Sequence, residues 1–131
     1  MPPAAAQNAL KHYATVGVQS EAEVADPHRV IQMLFEGVLS RLSVAAFAMR
    51  EGQIAKKGEN IGLAISILGG LQASLDHDQG GEIAANLERL YEYAARTLVE
   101  ANLENDVDKI DHVHGLLADI KSGWDEIAPS R

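Results

Sequence analysis

Cysteine is absent from the 131 residues, which removes disulfides, thiolate metal sites and cysteine nucleophiles together. Aromatic residues make up only 5%, so a core must be built mainly from Ala, Leu, Ile and Val. Basic charge is scarce too, with 11 Lys and Arg against 19 Asp and Glu and a formal net charge of −8. Such a chain is poorly suited to neutralise phosphates or hold to anionic lipid, so no nucleic acid partner is expected. The opening MPPAAAQNALKHY lacks the basic start and apolar middle of a signal peptide, which makes the cytoplasm (cytosol) the default location. No strand alternation, glycine-rich phosphate loop or internal repeat is visible.

What is present is helical. Hydrophobic residues account for 47% and charged residues for 23%, and this length is most economically one domain. From Gly80 to Asn102, the residues Ile83, Leu87, Leu90, Ala94, Leu98 and Ala101 recur at steps of three and four, which stacks them on one helix face. Charges fill the other side. The glycine pair before it breaks the chain, and Glu82 falls in the first turn, where a carboxylate favours the positive end of the backbone dipoles. An earlier helix starts at Asp26-Pro27, since aspartate caps free N–H groups and proline suits the first helical position. Its stripe is Ile31, Leu34, Val38, Leu42, Ala45 and Met49, with Phe35 beside it and Gly52 as a left-handed stop. The last helix follows Asn105-Asp106, carries Ile110, Val113, Leu117, Ile120, Trp124 and Ile127, and ends at Pro129.

The helix between, from about Gln53 to Asp76, has more apolar surface than a bundle needs. Ile61, Ile65, Leu68 and Leu75 make an ordinary core stripe, and Leu63, Ala64, Ile67 and Leu71 add a second strip beside it. The combined arc exceeds half the circumference, wider than the ~100° stripe of a core-facing helix. No charge occurs from Asn60 to Leu75. That run is shorter than the ~20 residues of a membrane span and is diluted by glycine and serine, so no membrane insertion is expected. Protein must therefore cover the excess, whether the chain's own arm, a subunit or a client.

Short breaks make neighbouring helices antiparallel. The predicted architecture is all-α: an antiparallel up-down four-helix bundle over residues 26–128, preceded by an N-terminal arm and loop over residues 1–25. Ala9, Leu10, Tyr13 and Val16 allow a short helix near residues 8–14. Catalytic chemistry finds little footing. A di-metal bundle needs inward carboxylates and Glu-x-x-His pairs on several helices, and Asp111-x-x-His114 is the only near match. His12, His28 and His77 are expected to be solvated, with His112 and His114 on the polar side of the last helix and the Tyr91 and Tyr93 hydroxyls at water. A histidine phosphotransfer bundle is an alternative, yet His112-Val113-His114-Gly115 lacks the lysine such carriers place after the histidine. A structural homodimer sealed through the second helix is another.

The pattern resembles the flagellin export chaperone family, FliS. Tyr13 precedes a loop, and Asp26 to Gly37 (DPHRVIQMLFEG) is similar to the family's Ser-Pro start and Leu-Ile-x-Met-Leu-Tyr-x-Gly run. Leu75-Asp76, Gly80-Gly81-Glu82-Ile83-Ala84, Asn86-Leu87, Leu90-Tyr91, Tyr93 and Ala101-Asn102 resemble its third-helix signature, and Trp124 its terminal tryptophan. The likeness covers residues 8 to 127. Phe35 in place of tyrosine, Asp26 in place of a serine cap and a longer segment between Tyr13 and Pro27 are departures. The resemblance implies a non-enzymatic cytosolic chaperone without cofactor, catalytic residue or metal. It would bind the disordered C-terminal segment of flagellin in an apolar groove, prevent premature polymerisation and deliver it to the flagellar type III export apparatus. Client-binding residues are then expected at Leu63, Ala64, Ile67 and Leu71 from the apolar excess, with Tyr13 and its neighbour Leu10 carried over from the family's arm. The export gate and the flagellar anti-sigma factor are further implied partners, and the oligomeric state stays open.

Overall fold

A computed structural model describes residues 26–127. Four helices occupy nearly all of that span: α1 (Pro27–Arg50), α2 (Ile54–Ala73), α3 (His77–Glu104) and α4 (Val107–Glu126). Three start on an aspartate. The Asp26 carboxylate accepts from the Arg29 N–H at 2.9 Å, Asp76 from Asp78 and Gln79, and Asp106 from Asp108 and Lys109. Each satisfies backbone donors that a first helical turn leaves without partners. Only α2, which begins after Gln53, has no side-chain cap.

The stops are equally local. Gly52 sits at φ 72°, and the Gln53 N–H reaches back to the Ala48 carbonyl at 2.8 Å. This is the glycine-terminated turn that the sequence implied. Asn105 plays the same part after α3, at φ 55° and ψ 46°, with the Asp106 N–H on Ala101. The Asn105-Asp106 pair thus divides its labour, the first residue ending α3 and the second capping α4.

With such tight turns, successive helices must reverse direction. α1 packs on α2 and α4, and α3 packs on α2 and α4, giving a square, up-down bundle. Bonds across the chain confirm the sense: His28 at the start of α1 meets Trp124 at the end of α4, and Arg50 at the end of α1 meets Asp111 near the start of α4. The predicted four-helix architecture is borne out. Its core joins Leu34, Phe35, Val38 and Leu42 of α1 to Ile61, Leu68 and Leu71 of α2, Leu98 of α3, and Ile110, Val113 and Leu117 of α4.

Two readings of helix faces change. On α3 the buried positions are Ala84, Tyr91, Ala94, Thr97, Leu98 and Ala101, with Leu87 partly covered, whereas Ile83 is 71% exposed and Leu90 is half-buried. The steps 83-87-90-94 and 84-87-91-94 are both helical, so periodicity alone does not choose between them. Packing chose the small Ala84 and the broad Tyr91. Among the described residues, α1 and not α2 is the helix long and apolar enough to cross a membrane by length and composition. Its apolar face is the core itself, with Leu34, Phe35, Val38 and Leu42 at 1% exposure or less.

Candidate functional site

The α2 strip divides on folding. Ala64, Ile67 and Leu71 are buried and join the core, while Leu63 is 42% exposed. Burial on α2 also reaches Gly69 and Gly70, outside the regular core stripe. Leu10 and Tyr13 lie outside the described residues. Of the four expected client-binding residues that are described, Leu63 is therefore the one that presents a large apolar side chain to solvent.

A second feature lies at the pole where α1 begins and α4 ends. There the helix ends surround an apolar cavity of about 470 Å³. Ile31 and Phe35 form its α1 wall, Leu75 its corner at the α2–α3 turn, and Ala84, Leu87 and Tyr91 its α3 wall. Ile120 and Trp124 close the α4 side, and Ile83 and Ile127, both more than half exposed, stand beside it. The glycine pair shapes this end. Gly81 takes φ 50° and ψ −121°, a conformation open to glycine and strained for residues with a Cβ. A Cβ on Gly80 would lie 2.9 Å from that of Ala84. The pair lets the Asp76-capped turn of His77 to Gly80 bend tightly onto the long part of α3.

The α4 wall is fastened by a reciprocal clamp. His28 Nε2 lies 2.8 Å from the Trp124 carbonyl oxygen, and Trp124 Nε1 donates to the His28 carbonyl at 3.1 Å. Their rings stack at 4.6 Å between centroids with 15° between planes. Beside them the Gln32 amide donates to Asp125 at 2.8 Å, and Lys121 pairs with the same carboxylate at 2.6 Å. Those two hydrogen bonds hold the Asp125 carboxyl below its usual range. Burial pushes the Tyr91 phenol up to about 12, because ionising it would place charge in an apolar wall.

Comparison with known proteins decides the family. The profile of a family described as flagellar protein FliS matches residues 9–131. The chain belongs to the FliS family. It is 50% identical over 123 residues to a flagellar secretion chaperone FliSB of Pseudomonas aeruginosa, spanning 94% of this chain and 98% of that protein. It is 46% identical over 121 residues to a flagellar secretion chaperone FliS of Salmonella typhimurium, spanning 92% and 90%. It is also similar to the flagellar secretion chaperone FliS of Bacillus subtilis, at 29% identity over 122 residues. These relatives bear chaperone names, not enzyme names.

His12 lies outside the described residues of this FliS chain, and the described histidines have partners. His28 was expected in solvent, but the nearby indole and carbonyl of Trp124 draw it into the clamp. His77 faces Glu88 at 3.0 Å. His112 Nε2 lies 2.9 Å from the Tyr93 hydroxyl, edge-on to its ring. The Tyr93 ring is partly exposed, as expected, with its hydroxyl on His112, whereas Tyr91, expected to keep its hydroxyl at water, is buried because its ring packs into the core. Among the described residues, no group of three or more His, Cys, Asp or Glu side chains is placed to hold a metal. One residue of consequence carried no sequence signal. Lys57 is buried, and its Nζ donates to the Asn102 carbonyl at 3.2 Å and to Asn105 Oδ1 at 3.1 Å, closing the end of α3 from α2.

Proposed function

We propose that this FliS chain is a cytosolic export chaperone for flagellin. It binds the disordered C-terminal segment of flagellin in an apolar groove along α2, keeps it from polymerising prematurely and delivers it to the flagellar type III export apparatus. Membership of a family whose relatives are flagellar secretion chaperones carries the reading. The exposed Leu63 on the charge-free run from Asn60 to Leu75 supports the location. Leu63, Ala64, Ile67 and Leu71 would supply the groove, with Leu10 and Tyr13 on the arm. Because Ala64, Ile67 and Leu71 are buried in the free chain, a client reaches them only if whatever lies over them moves. The binding mode is that of amphipathic segments whose anchors at steps of three and four fill a trough. Further contacts with the export gate and the flagellar anti-sigma factor fit the same role.

Calorimetry with a peptide of the last few dozen residues of flagellin from the same source tests this. Binding with a large negative heat-capacity change marks apolar burial coupled to client ordering. Leu63→Glu should weaken it about tenfold or more, since a buried leucine contributes on the order of 1.5–3 kcal/mol. Tyr13→Ala should weaken it as well. A charge at Ile67 is unsuitable, because that side chain is 3% exposed and belongs to the core. Absence of heat at several temperatures sinks the flagellin reading.

A further inference from the structure

We propose that the outer face of α3 is a self-association surface, on which two copies of this chain pack their α3 helices antiparallel about a two-fold axis level with Ala94. The inference is independent of the export-chaperone reading and concerns a face that the α2 strip does not include. Ala84, Tyr91, Ala94, Leu98 and Ala101 turn one side of α3 to the core. The opposite side carries Ala85, Arg89, Glu92, Arg96, Val99 and Leu103, at steps of four, three, four, three and four. That is the spacing of a coiled-coil seam, and here it faces solvent. Leu103 is 81% exposed, the highest value among the large apolar side chains described, and Val99 is 47% exposed.

The order of these six residues selects the occupant, because it is complementary to its own reverse. With the axis at Ala94, the small Ala85 meets the partner's Leu103, the Arg89 stem lies along the partner's Val99, and Glu92 faces the partner's Arg96. Each pair occurs twice, as an isologous contact requires. Charge fits the same register. Arg89, Glu92 and Arg96 form no ion pair among the described residues. Arg89 holds the Asn86 side chain, and Arg96 sits 6.0 Å above the Tyr93 ring. The Glu92 carboxylate therefore stays available to the partner's Arg96. An unrelated partner would have to match small, basic, acidic and apolar groups in this order, whereas a reversed copy of the helix does so by symmetry. The seam spans roughly 27 Å from Ala85 to Leu103 at 1.5 Å per residue, a short contact that suits a weak, reversible dimer.

Sedimentation equilibrium of the full chain tests the surface. It is run at about 0.15 M salt, where the −8 charge on each copy is screened beyond about 8 Å, and the expected result is a monomer–dimer equilibrium. Arg96→Glu and Glu92→Arg, both at exposed positions, should each weaken the dimer about tenfold, with the circular dichroism of the helices unchanged. An equimolar mixture of the two variants should recover it, because each supplies the charge that the other lacks. Leu103→Asp should weaken it about tenfold as well. Disulfide trapping reads the register in this cysteine-free chain. Ala85→Cys mixed with Leu103→Cys should give a covalent heterodimer under mild oxidation. Neither should cross-link alone, since like positions lie roughly 27 Å apart across the axis and a disulfide needs Cα atoms within about 7 Å. A monomer at every concentration, with no mixed disulfide, overturns the proposal. So does a dimer that ignores both charge reversals, because it then uses another face. A dimer lost on deleting residues 1–25 assigns self-association to the arm. Charge reversals that weaken flagellin-peptide binding and leave self-association untouched assign the face to the client, and either outcome overturns the proposal.

Discussion

The two poles of the bundle are closed by different chemistry. Where α1 ends and α2 begins, polar groups do the closing. Gly52 and Asn105 terminate their helices, Lys57 reaches the last carbonyls of α3, and Arg50–Asp111 and Lys109 with Glu100 and Glu104 bridge the ends. The opposite pole is closed by rings and by a glycine-pair bend, and it retains an apolar cavity of about 470 Å³. Directional bonds fix short distances and leave little room between helix ends. Aromatic packing spreads its contacts over large faces and tolerates a gap. Apolar contacts at the second kind of pole can be exchanged for others at little cost, whereas the clamp's hydrogen bonds to the His28 and Trp124 carbonyls tie the rings there to the backbone.

The contrast is broken most severely by Trp124→Ala. It removes the stack, the indole hydrogen bond and the α4 wall at once, and should cost about 3 kcal/mol in denaturant unfolding, near the lower figure for large aromatic truncations because the ring is only partly buried. Alkaline pH should act on the same pole. The Tyr91 phenol titrates near 10 when unfolded and at about 12 in the fold. Its contribution is thus complete below pH 10 and is lost as pH rises from 10 through 12. A loss on the order of 2 kcal/mol follows, and the difference between wild type and Tyr91→Phe isolates it.

At the polar pole, Lys57→Met keeps the stem and removes the ammonium. The Asn102 carbonyl and Asn105 amide oxygen then lose a buried donor, for about 1–2 kcal/mol by chemical denaturation. Earlier exchange of α3 C-terminal amides should accompany it. The smallest effect sharpens the comparison. Phe47 is 57% exposed near the same pole, and Phe47→Gln should change the melting free energy by no more than about 0.5 kcal/mol. A larger loss would mean that this pole, too, depends on aromatic packing.

Much of the fold was legible because helix starts and stops use residues adjacent in sequence. Asp26-Pro27, Gly52 and Asn105-Asp106 each act where they were expected, whereas α3 starts ahead of the glycine pair, at His77 under an Asp76 cap, and Gly81 kinks it from within. The family was legible in the run from Gly80 to Asn102 and in Trp124. The site was less so. The α2 strip reads as one apolar surface, yet folding sends Ala64, Ile67 and Leu71 inward and leaves Leu63 outside. Excess hydrophobicity reports that something must be covered, and it carries no information on which strip the bundle itself covers.

The sequence by itself determined the number of helices, most of their limits and their antiparallel order, since capping bonds span three or four residues and short turns permit one direction; the boundary between α2 and α3, where Asp76 caps a turn ahead of the glycine pair, was read differently. Tertiary structure alone decided which of two equivalent stripes on α3 faces inward, that Lys57 closes a helix 45 positions away, and that His28 meets Trp124 across 96 positions. Those outcomes depend on where four rods come to rest against one another. A side chain's partner at such separations is set by the packing of the whole core, and no local spacing encodes it.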